Sequence, residues 1–302
     1  MFNLRNLSTA LRWGFSLVII VFALQGCITV REPVFPKAWE KKGTLFKEDL
    51  VNVKIGGKQL RLHMVSARKA SETPLPIVIL THGSASWAQT DIALGQAAFD
   101  AFKYLELLEY IANQGFGAVF FSHRGHGFSE GETSKFSCGW DKNYVEKAMS
   151  VGLDFEAIHG VLSKVQWADS KNVIIGGHST GGVGALYYAG LKPNGVIGVL
   201  NIAGTYGCTG GTYGGRNIWK TRTGWKEHVT NGNSVRQLWL YGDNDSYTAI
   251  SDLKDYVGMK NIELVILNGA DHHILDGKLS DLPERWKPTV SKFLNSIKGE
   301  LQ

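Results

Sequence analysis

Ser179 stands at the centre of a six-residue segment, Gly-His-Ser-Thr-Gly-Gly, whose residue types suit nucleophilic chemistry. The segment lies between an apolar run at residues 173–175 and a run rich in Ala, Leu and Tyr at residues 183–191. The first run predicts a short buried strand and the second a helix. Gly-x-Ser-x-Gly at a strand-to-helix turn is the pattern of a nucleophile elbow, in which the serine hydroxyl stands clear of the backbone. The segment therefore predicts a hydroxyl placed to attack a carbonyl carbon.

An attacking serine needs a base, because its hydroxyl is a poor nucleophile near neutral pH until its proton is removed. Histidine suits this exchange, and a carboxylate must hold the imidazole in the useful tautomer. Gly-x-x-His spacing favours His272 as the base over its neighbour His273. Gly-x-x-Asp spacing favours Asp245 as the acid, whereas Asp243 fits a turn residue whose carboxylate bonds nearby backbone N–H groups. His273 and Asp243 stay open as alternatives.

Hydrophobic patterning predicts the elements that position these residues. Residues 51–55 and 60–65 alternate apolar and polar on either side of Gly56-Gly57, which predicts a β-hairpin. Further strands are predicted at residues 77–80, 118–121, 173–175, 196–200, 238–241 and 262–267. Helices are predicted at residues 97–113, 141–164, 183–191, 247–257 and 282–297, the second of them irregular near Gly152 and Gly160. This order predicts an α/β fold with a mostly parallel central sheet and helices on both faces.

The ends of the predicted strands carry the reactive residue types. Serine, acid and histidine follow different strands in that chain order, and ligands of parallel sheets bind at the carboxyl ends of the strands. The chain resembles members of the α/β-hydrolase superfamily, in particular its dienelactone-hydrolase and serine-peptidase-like branches. The motifs that carry the resemblance are His-Gly at 82–83, Arg-Gly-His-Gly-x-Ser at 124–129, the elbow at 177–181, Gly-x-x-Asp at 242–245 and Gly-x-x-His at 269–272. One departure is His123, where relatives often carry Asp before the Arg-Gly.

This resemblance implies the α/β-hydrolase fold and a serine hydrolase that cleaves a carboxylic ester, with an amide or thioester less favoured. Ser179, Asp245 and His272 would form the catalytic triad. The oxyanion hole would take one backbone N–H from Thr180 and, by the same resemblance, one from Ser84. The expected partner is a small-molecule ester or acyl substrate, and no metal or organic cofactor is implied. An acyltransferase with the same triad and a non-catalytic binding lipoprotein on the same fold are the alternatives.

Four other polar residues near the predicted strand ends fit structural roles. His82 and His178 flank the predicted site, where we expect them to be hydrogen-bonded structural residues. Arg124 and His126 lie in a motif that usually braces a turn.

The N-terminus has the organisation of a targeting segment. Arg5 and Arg12 precede an apolar run at residues 14–24 that is too short to span a bilayer comfortably. Leu-Gln-Gly then leads to Cys27, which resembles a bacterial lipobox with a cysteine that becomes lipidated. Because Ile28 is not the Asp that resembles an inner-membrane retention signal, we expect an exported protein anchored in the outer membrane and facing the periplasm. An uncleaved anchor and an ordinary secretory signal are the alternatives.

This targeting segment sets the predicted domain plan. We expect a lipoprotein signal peptide at residues 1–26, a tether at residues 27–43 and an α/β-hydrolase domain at residues 44–302. The segment at about residues 203–234 is rich in Gly, Thr, Trp and Tyr without a clean period. Such long irregular segments are usually functional, which predicts a loop or lid insertion there.

Composition limits the remaining function classes. The 302 residues with 44% hydrophobic content support a large core, and a net charge of +5 is too weak to imply a nucleic-acid partner. Cys138 and Cys208 are the cysteines left beside Cys27. In an oxidising compartment they could form a disulfide, and their presence by chance is the equal alternative. No Cys-x-x-Cys or His/Cys cluster indicates a zinc site, and nothing in the sequence indicates the oligomeric state.

Overall fold

The computed structural model of the chain describes residues 34–83, 101–132, 141–204, 234–248, 250–253, 259–272, 274 and 283–301. The strands in these ranges are β1 (Lys37–Lys41), β2 (Thr44–Ile55), β3 (Lys58–Arg68), β4 (Leu75–Thr81), β5 (Gly117–Phe121), β6 (Ala168–His178), β7 (Val196–Ile202), β8 (Arg236–Gly242) and β9 (Ile262–Leu267). The α-helices in the same ranges are α1 (Leu105–Asn113), α2 (Asp141–Leu162), α3 (Thr180–Gly190) and α4 (Pro283–Leu301). Short 3₁₀ turns cover Ala101–Tyr104 and Ile250–Asp252. Within the described ranges, no helix combines the length and apolar character needed to cross a membrane.

The nine strands form one mixed sheet in the order β1-β2-β3-β5-β4-β6-β7-β8-β9. The pairs β1–β2, β2–β3 and β3–β5 are antiparallel, and the pairs from β5–β4 to β8–β9 are parallel. Ile55 pairs with Lys58 across a turn in which Gly56 and Gly57 have φ of 56° and 82°. Positive φ at both central residues belongs to the tight turns that match strand twist, so the hairpin forms where the two glycines predict it. The predicted fold class is confirmed.

The central strands are buried along their whole apolar runs. Residues 77–80 of β4 and 173–175 of β6 have no exposed surface. Parallel strands covered on both faces read as continuous apolar runs rather than alternating ones, which is why these segments could be predicted. The loops that leave β4 and β6 therefore start from the buried centre of the sheet.

Helix α2 packs against α3 through glycines rather than breaking at them. A Cβ on Gly152 would lie 2.6 Å from a ring atom of Tyr187, and one on Gly184 would lie 2.1 Å from Val151. These glycines let the two helices approach closely. The prediction of an irregular helix near Gly152 and Gly160 is wrong, because close packing, not a turn, uses the missing side chain at position 152.

The folded domain begins before residue 44. Residues 37–41, which lie in the predicted tether, form the edge strand β1. Before that strand, the ring of Phe35 packs against His63 at 5.3 Å and against Phe128 at 6.0 Å between centroids. The predicted boundary at residue 44 is therefore corrected to residue 35 or earlier. The sequence of β1 is short and lysine-rich, which suits an exposed edge and hides the strand from a search for apolar patterns.

Candidate active site

Ser179 lies directly after β6 and directly before α3. Its φ of 54° and ψ of −121° place a non-glycine residue in a strained, left-handed backbone conformation. Two glycines make the turn sterically feasible. A Cβ on Gly177 would lie 2.6 Å from the carbonyl oxygen of Thr81, and one on Gly181 would lie 2.6 Å from that of His82. Any other residue there would push the elbow away from the loop that follows β4.

Three predicted residues from three separate loops form one hydrogen-bonded chain. His272 Nδ1 lies 3.0 Å from Asp245 Oδ2, and His272 Nε2 lies 3.0 Å from Ser179 Oγ. Because a carboxylate only accepts, Nδ1 donates to it, which leaves the Nε2 lone pair of a neutral imidazole to accept from the serine hydroxyl. The side chains of His272 and Asp245 are only 5% and 0% exposed. This geometry can transfer the hydroxyl proton of Ser179 to His272 as the oxygen attacks.

Asp245 is held in place by the backbone that follows it. Its Oδ1 accepts the backbone N–H of Tyr247 at 2.8 Å and that of Thr248 at 3.0 Å. These donors stabilise the carboxylate away from water and turn Oδ2 toward His272. The ring of Tyr247 also contacts the ring of His272 at 4.3 Å between centroids.

Asp243, the alternative acid, has a different partner. Its Oδ1 accepts the backbone N–H of Gly269 at 2.6 Å. The N–H of the next residue, Asn244, donates to the carbonyl oxygen of Ala270 at 3.0 Å. The structure thus uses Asp243 to join the loops after β8 and β9, and it brings Asp245 to the imidazole.

Of the two residues predicted to donate to the oxyanion, the structure describes Thr180 but not Ser84. Thr180 is the first residue of α3 and is 4% exposed, so its backbone N–H lies at a helix N-terminus, where negative charge is stabilised. Ser84 lies outside the described residues, but the residue before it is described. A Cβ on Gly83 would lie 2.8 Å from Ser179 Cβ and 3.4 Å from its Oγ. The start of the loop after β4 therefore lies directly against the nucleophile.

Three buried histidines pack together in the loops that follow β4 and β5. The ring of His82 stacks on that of His123 at 4.2 Å, and the ring of His126 lies 5.3 Å from His82. His82 Nε2 accepts the backbone N–H of His123 at 3.1 Å, and Nδ1 donates to the carbonyl oxygen of Gly83. Burial lowers the pKa of His82 and His123 well below the ordinary value, and it lowers the pKa of His126 to about 3. These rings are neutral at physiological pH and hold the loops after β4 and β5 together.

A buried ion-pair cluster lies beside the histidines. Arg124 Nε lies 2.7 Å from Asp154 Oδ1, and the backbone N–H of Arg124 donates to Oδ2 at 3.2 Å. Burial raises the pKa of Asp154 to about 6, although Arg124 acts in the opposite direction. Burial also lowers the pKa of Lys147 to about 8. Arg124 thus braces the turn of its motif through an acid on α2, and none of these groups belongs to the proton-transfer chain.

The hydrogen bond between His178 and the backbone of His272 could not be predicted from the sequence. His178, predicted to have a structural role, bonds through Nε2 to the backbone carbonyl of His272 at 2.7 Å. The two residues are 94 positions apart. Its place before the nucleophile marked His178 as close to the site, but only the fold brings it to the base.

Other predicted features lie outside the described residues. These are Ser84, Cys27, Cys138, Cys208, His273, residues 205–233 of the predicted lid insertion, and residues 249 and 254–257 of the helix predicted at 247–257. In the described part of that predicted helix, the helical residues are the 3₁₀ turn Ile250–Asp252. Among the residues that are described, no group of three or more His, Cys, Asp or Glu is arranged to hold a metal ion.

Comparison with known proteins gives the chain its relatives. The family model described as serine aminopeptidase, S33, matches residues 98–214, a stretch that contains Ser179 but neither Asp245 nor His272. No curated protein sequence matches the chain.

Solved structures match nearly the whole chain at low identity. An esterase from Pyrococcus furiosus is 19% identical over 88% of this chain and 99% of its own, with a TM-score of 0.56. A predicted CIB-like hydrolase from Thermoplasma acidophilum is 17% identical over 84% of this chain and 100% of its own, with a TM-score of 0.52. A Klebsiella pneumoniae protein provisionally named dienelactone hydrolase is 15% identical over 82% of this chain and 97% of its own, with a TM-score of 0.53. Together these likenesses establish the fold.

Proposed function

We propose that this chain is a member of the α/β-hydrolase superfamily and a serine hydrolase that cleaves carboxylic esters through an acyl-enzyme on Ser179; the family-model match and the shared fold support the first part. The observation that carries the proposal is the unbroken chain from Asp245 through His272 to Ser179, with both hydrogen bonds at 3.0 Å. The strained backbone at the nucleophile supports the same conclusion, because such strain persists only where the surroundings enforce it.

The first half of the reaction forms the acyl-enzyme. Ser179 Oγ bonds to the ester carbonyl carbon while its proton moves to His272 Nε2, and Asp245 stabilises the imidazolium that results. Negative charge collects on the carbonyl oxygen, where the N–H of Thr180 and a donor from the loop after Gly83 stabilise it. The carbon–oxygen bond to the alcohol then breaks, and the alcohol leaves with the proton from His272.

The second half releases the acid. Water attacks the acyl carbon as His272 removes one of its protons, and the bond to Ser179 Oγ breaks as that oxygen takes the proton back. The enzyme returns to its starting state with no change in redox state. This chemistry runs on the side chains and backbone groups named above.

An ester is the preferred substrate for two reasons. The Pyrococcus furiosus structure carries the name esterase, as does a cold-adapted protein from an Arctic metagenome. An ester also presents a better leaving group than an amide, so the triad with its two donors suffices for turnover. The serine aminopeptidase likeness of residues 98–214 would favour an amide, but it is the weaker support because that match omits the base and the acid.

Hydrolysis of chromogenic short-chain esters by the full-length protein tests the proposal. We expect turnover that Ser179→Ala abolishes, with the acid as the main product. Added alcohol separates hydrolysis from acyl transfer, because a transferase would convert most of the acyl group to a new ester. Absence of turnover across a panel of acyl lengths, in a protein that unfolds cooperatively, would contradict the enzymatic proposal and favour a binding lipoprotein.

We also propose that Cys27 is lipidated after removal of residues 1–26 and that the protein is anchored in the outer membrane, facing the periplasm. The basic, apolar and Leu-Gln-Gly-Cys segments support this, and more than one acyl chain is needed for stable anchoring. Radiolabelled palmitate should enter the wild-type protein and not Cys27→Ser, and the label should fractionate with outer membranes. Equal labelling of the two proteins would contradict lipidation at Cys27.

A further inference from the structure

We propose that His178 is a positioning residue for the base: its imidazole fixes the backbone of His272 and so keeps the Nε2 atom of that base within reach of Ser179. This deepens the proposed serine hydrolase function and rests on it. The residue before the nucleophile thus does more than complete the elbow turn.

A direct hydrogen bond joins the two histidines. Nε2 of His178 lies 2.7 Å from the backbone carbonyl oxygen of His272. A carbonyl oxygen only accepts, so Nε2 carries the proton and donates. The two residues are only 8% and 4% exposed. Water cannot readily replace this donor, so removing His178 would cost the carbonyl a buried hydrogen bond.

The base needs such support because it lies in a loop. His272 follows the end of β9 by five residues and belongs to no helix or strand. Asp245 and Ser179 bond to the two nitrogens of its ring, and these contacts act on the side chain rather than on the main chain of the loop. The bond from His178 fixes the main chain of the same residue. Together the side-chain and main-chain bonds define where Nε2 lies.

His178 also links the base to the other parts of the site. It is the last residue of β6 and is covalently joined to Ser179, so the anchor of the base moves with the nucleophile. Its ring lies 5.0 Å from that of His272. On the side of the loop after β4, its Nδ1 would be 3.3 Å from a Cβ on Gly83. One side chain at the end of the nucleophile's strand therefore bonds to the loop that carries the base and lies close to the loop after β4.

Three variants of the full-length protein separate positioning from packing. His178→Leu keeps bulk and removes the donor. His178→Gln places an amide N–H near the position of the imidazole Nε2, whereas His178→Asn places one near Nδ1. The proposal requires the Gln variant alone to retain the bond to His272.

His159→Leu is the matched control. His159 is also 8% exposed, and its Nε2 donates to the carbonyl oxygen of Ser170 at 2.9 Å. His159→Leu thus loses a partly buried bond to a backbone carbonyl, together with the 3.1 Å contact of its Nδ1 with the Tyr188 hydroxyl. Both bonds lie away from the elbow, the first of them near the start of β6. A purely structural contribution would affect both histidine positions alike.

We expect His178→Leu to lower kcat for ester hydrolysis by about 10- to 100-fold, with KM changed by less than about threefold, since a misplacement of about 1 Å can lower rates by this order. His178→Gln should stay within about fivefold of wild type, and His178→Asn should resemble His178→Leu. His159→Leu should lower Tm to a similar extent and leave kcat within about threefold.

A readout without turnover separates this proposal from the proposed function. The NMR resonance of the His272 Nδ1 proton should be sharp in wild type and His178→Gln and broadened in His178→Leu. Wild-type kcat in a folded His178→Leu, equal impairment of the Gln and Leu variants, or an equal loss of kcat in His159→Leu would overturn the positioning role. If His178→Leu does not fold, the comparison of Gln with Asn decides. An inactive wild type with the expected resonances would contradict only the hydrolase function.

Discussion

Gly83 lies so close to Ser179 that not even a methyl group fits between them. A Cβ on Gly83 would be 2.8 Å from Ser179 Cβ, a distance that real Cβ atoms essentially never show. The obstructing atom belongs to a strained elbow rather than to the end of a flexible side chain. The loop after β4 and the nucleophile therefore behave as one packed unit.

Gly83→Ala should accordingly impair the site more than the fold. The methyl group must displace either the elbow or the loop, so we expect kcat to fall at least about tenfold, and by as much as the roughly 10²–10³-fold typical of losing an oxyanion donor. Gly160→Ala is the control, because a Cβ there meets nothing within 4 Å. That variant should keep wild-type kcat and gain up to about 1 kcal/mol in the free energy of unfolding. Wild-type kcat in Gly83→Ala would refute the packed-unit interpretation.

Exchange of each aspartate for asparagine tests the assignment of the acid. Asp245→Asn favours the wrong imidazole tautomer, so kcat should fall by about 10³–10⁴-fold with little change in KM. Asp243→Asn keeps an oxygen that can accept the N–H of Gly269, and kcat should fall by less than about tenfold. Steady-state kinetics on one chromogenic ester suffice. The reverse order of effects would assign Asp243 as the acid.

The buried histidines predict sensitivity to acid. In the folded state the pKa values of His82, His123 and His126 are depressed, whereas in the unfolded state they return to the ordinary value of about 6.5. Groups with depressed folded-state pKa values contribute stability above the unfolded pKa and lose it as the pH falls. Below about pH 6 unfolding takes up as many as three protons, which corresponds to a slope of about 4 kcal/mol per pH unit.

Denaturant titrations at several pH values measure that slope. His123→Phe keeps an aromatic ring in the stack with His82 and removes one titrating group. We expect the slope of unfolding free energy against pH, between about pH 6 and pH 5, to fall by about 1.4 kcal/mol per pH unit. An unchanged slope would mean that His123 takes up its proton equally in both states.

Lys147 should be a source of instability at neutral pH. The residue is 2% exposed, and burial lowers the pKa of its ammonium group to about 8 from 10.5. The folded state thus bears the full penalty below pH 8, and the penalty disappears as the pH rises toward 10.5. Lys147→Met should raise the free energy of unfolding at pH 7 by about 1–3 kcal/mol, and the gain should shrink between about pH 8 and pH 10.5 and be nearly gone at the upper end. Urea denaturation at both pH values measures this, and a variant less stable than wild type at pH 7 would contradict it.

The parts of the fold that sequence could predict are those with one dominant local signal. The apolar runs of β4 and β6 predict buried parallel strands, and Gly56-Gly57 predicts a tight hairpin turn. The prediction of an irregular helix at Gly152 failed because a glycine in a helix indicates either a break or a close contact. Only the position of Tyr187 in the fold decides between the two. The lysine-rich strand β1 lacked the apolar pattern of a strand, since an exposed edge does not need one.

In the candidate site, too, the residues with a local sequence signal could be predicted and those that depend on tertiary contacts could not. Motif spacing predicted Ser179, Asp245 and His272. In the structure they follow the carboxyl ends of β6, β8 and β9 and are connected by hydrogen bonds. The bond from His178 to the His272 carbonyl and the ring contact of Tyr247 depend on loop conformation, which has no period to detect. The burial of Lys147 could not be predicted from the sequence either, because a lysine in an amphipathic helix is normally exposed.

Covalent labelling of the full-length protein with a fluorophosphonate, followed by peptide mass mapping, tests the central claim most directly. The reagent reacts with a serine whose proton a base removes, so an activated nucleophile takes up one equivalent. We predict a single phosphonyl adduct on the peptide that contains Ser179, absent in Ser179→Ala and strongly slowed in His272→Ala. A folded wild-type protein that remains unlabelled, or that carries the adduct on another serine, would contradict the account.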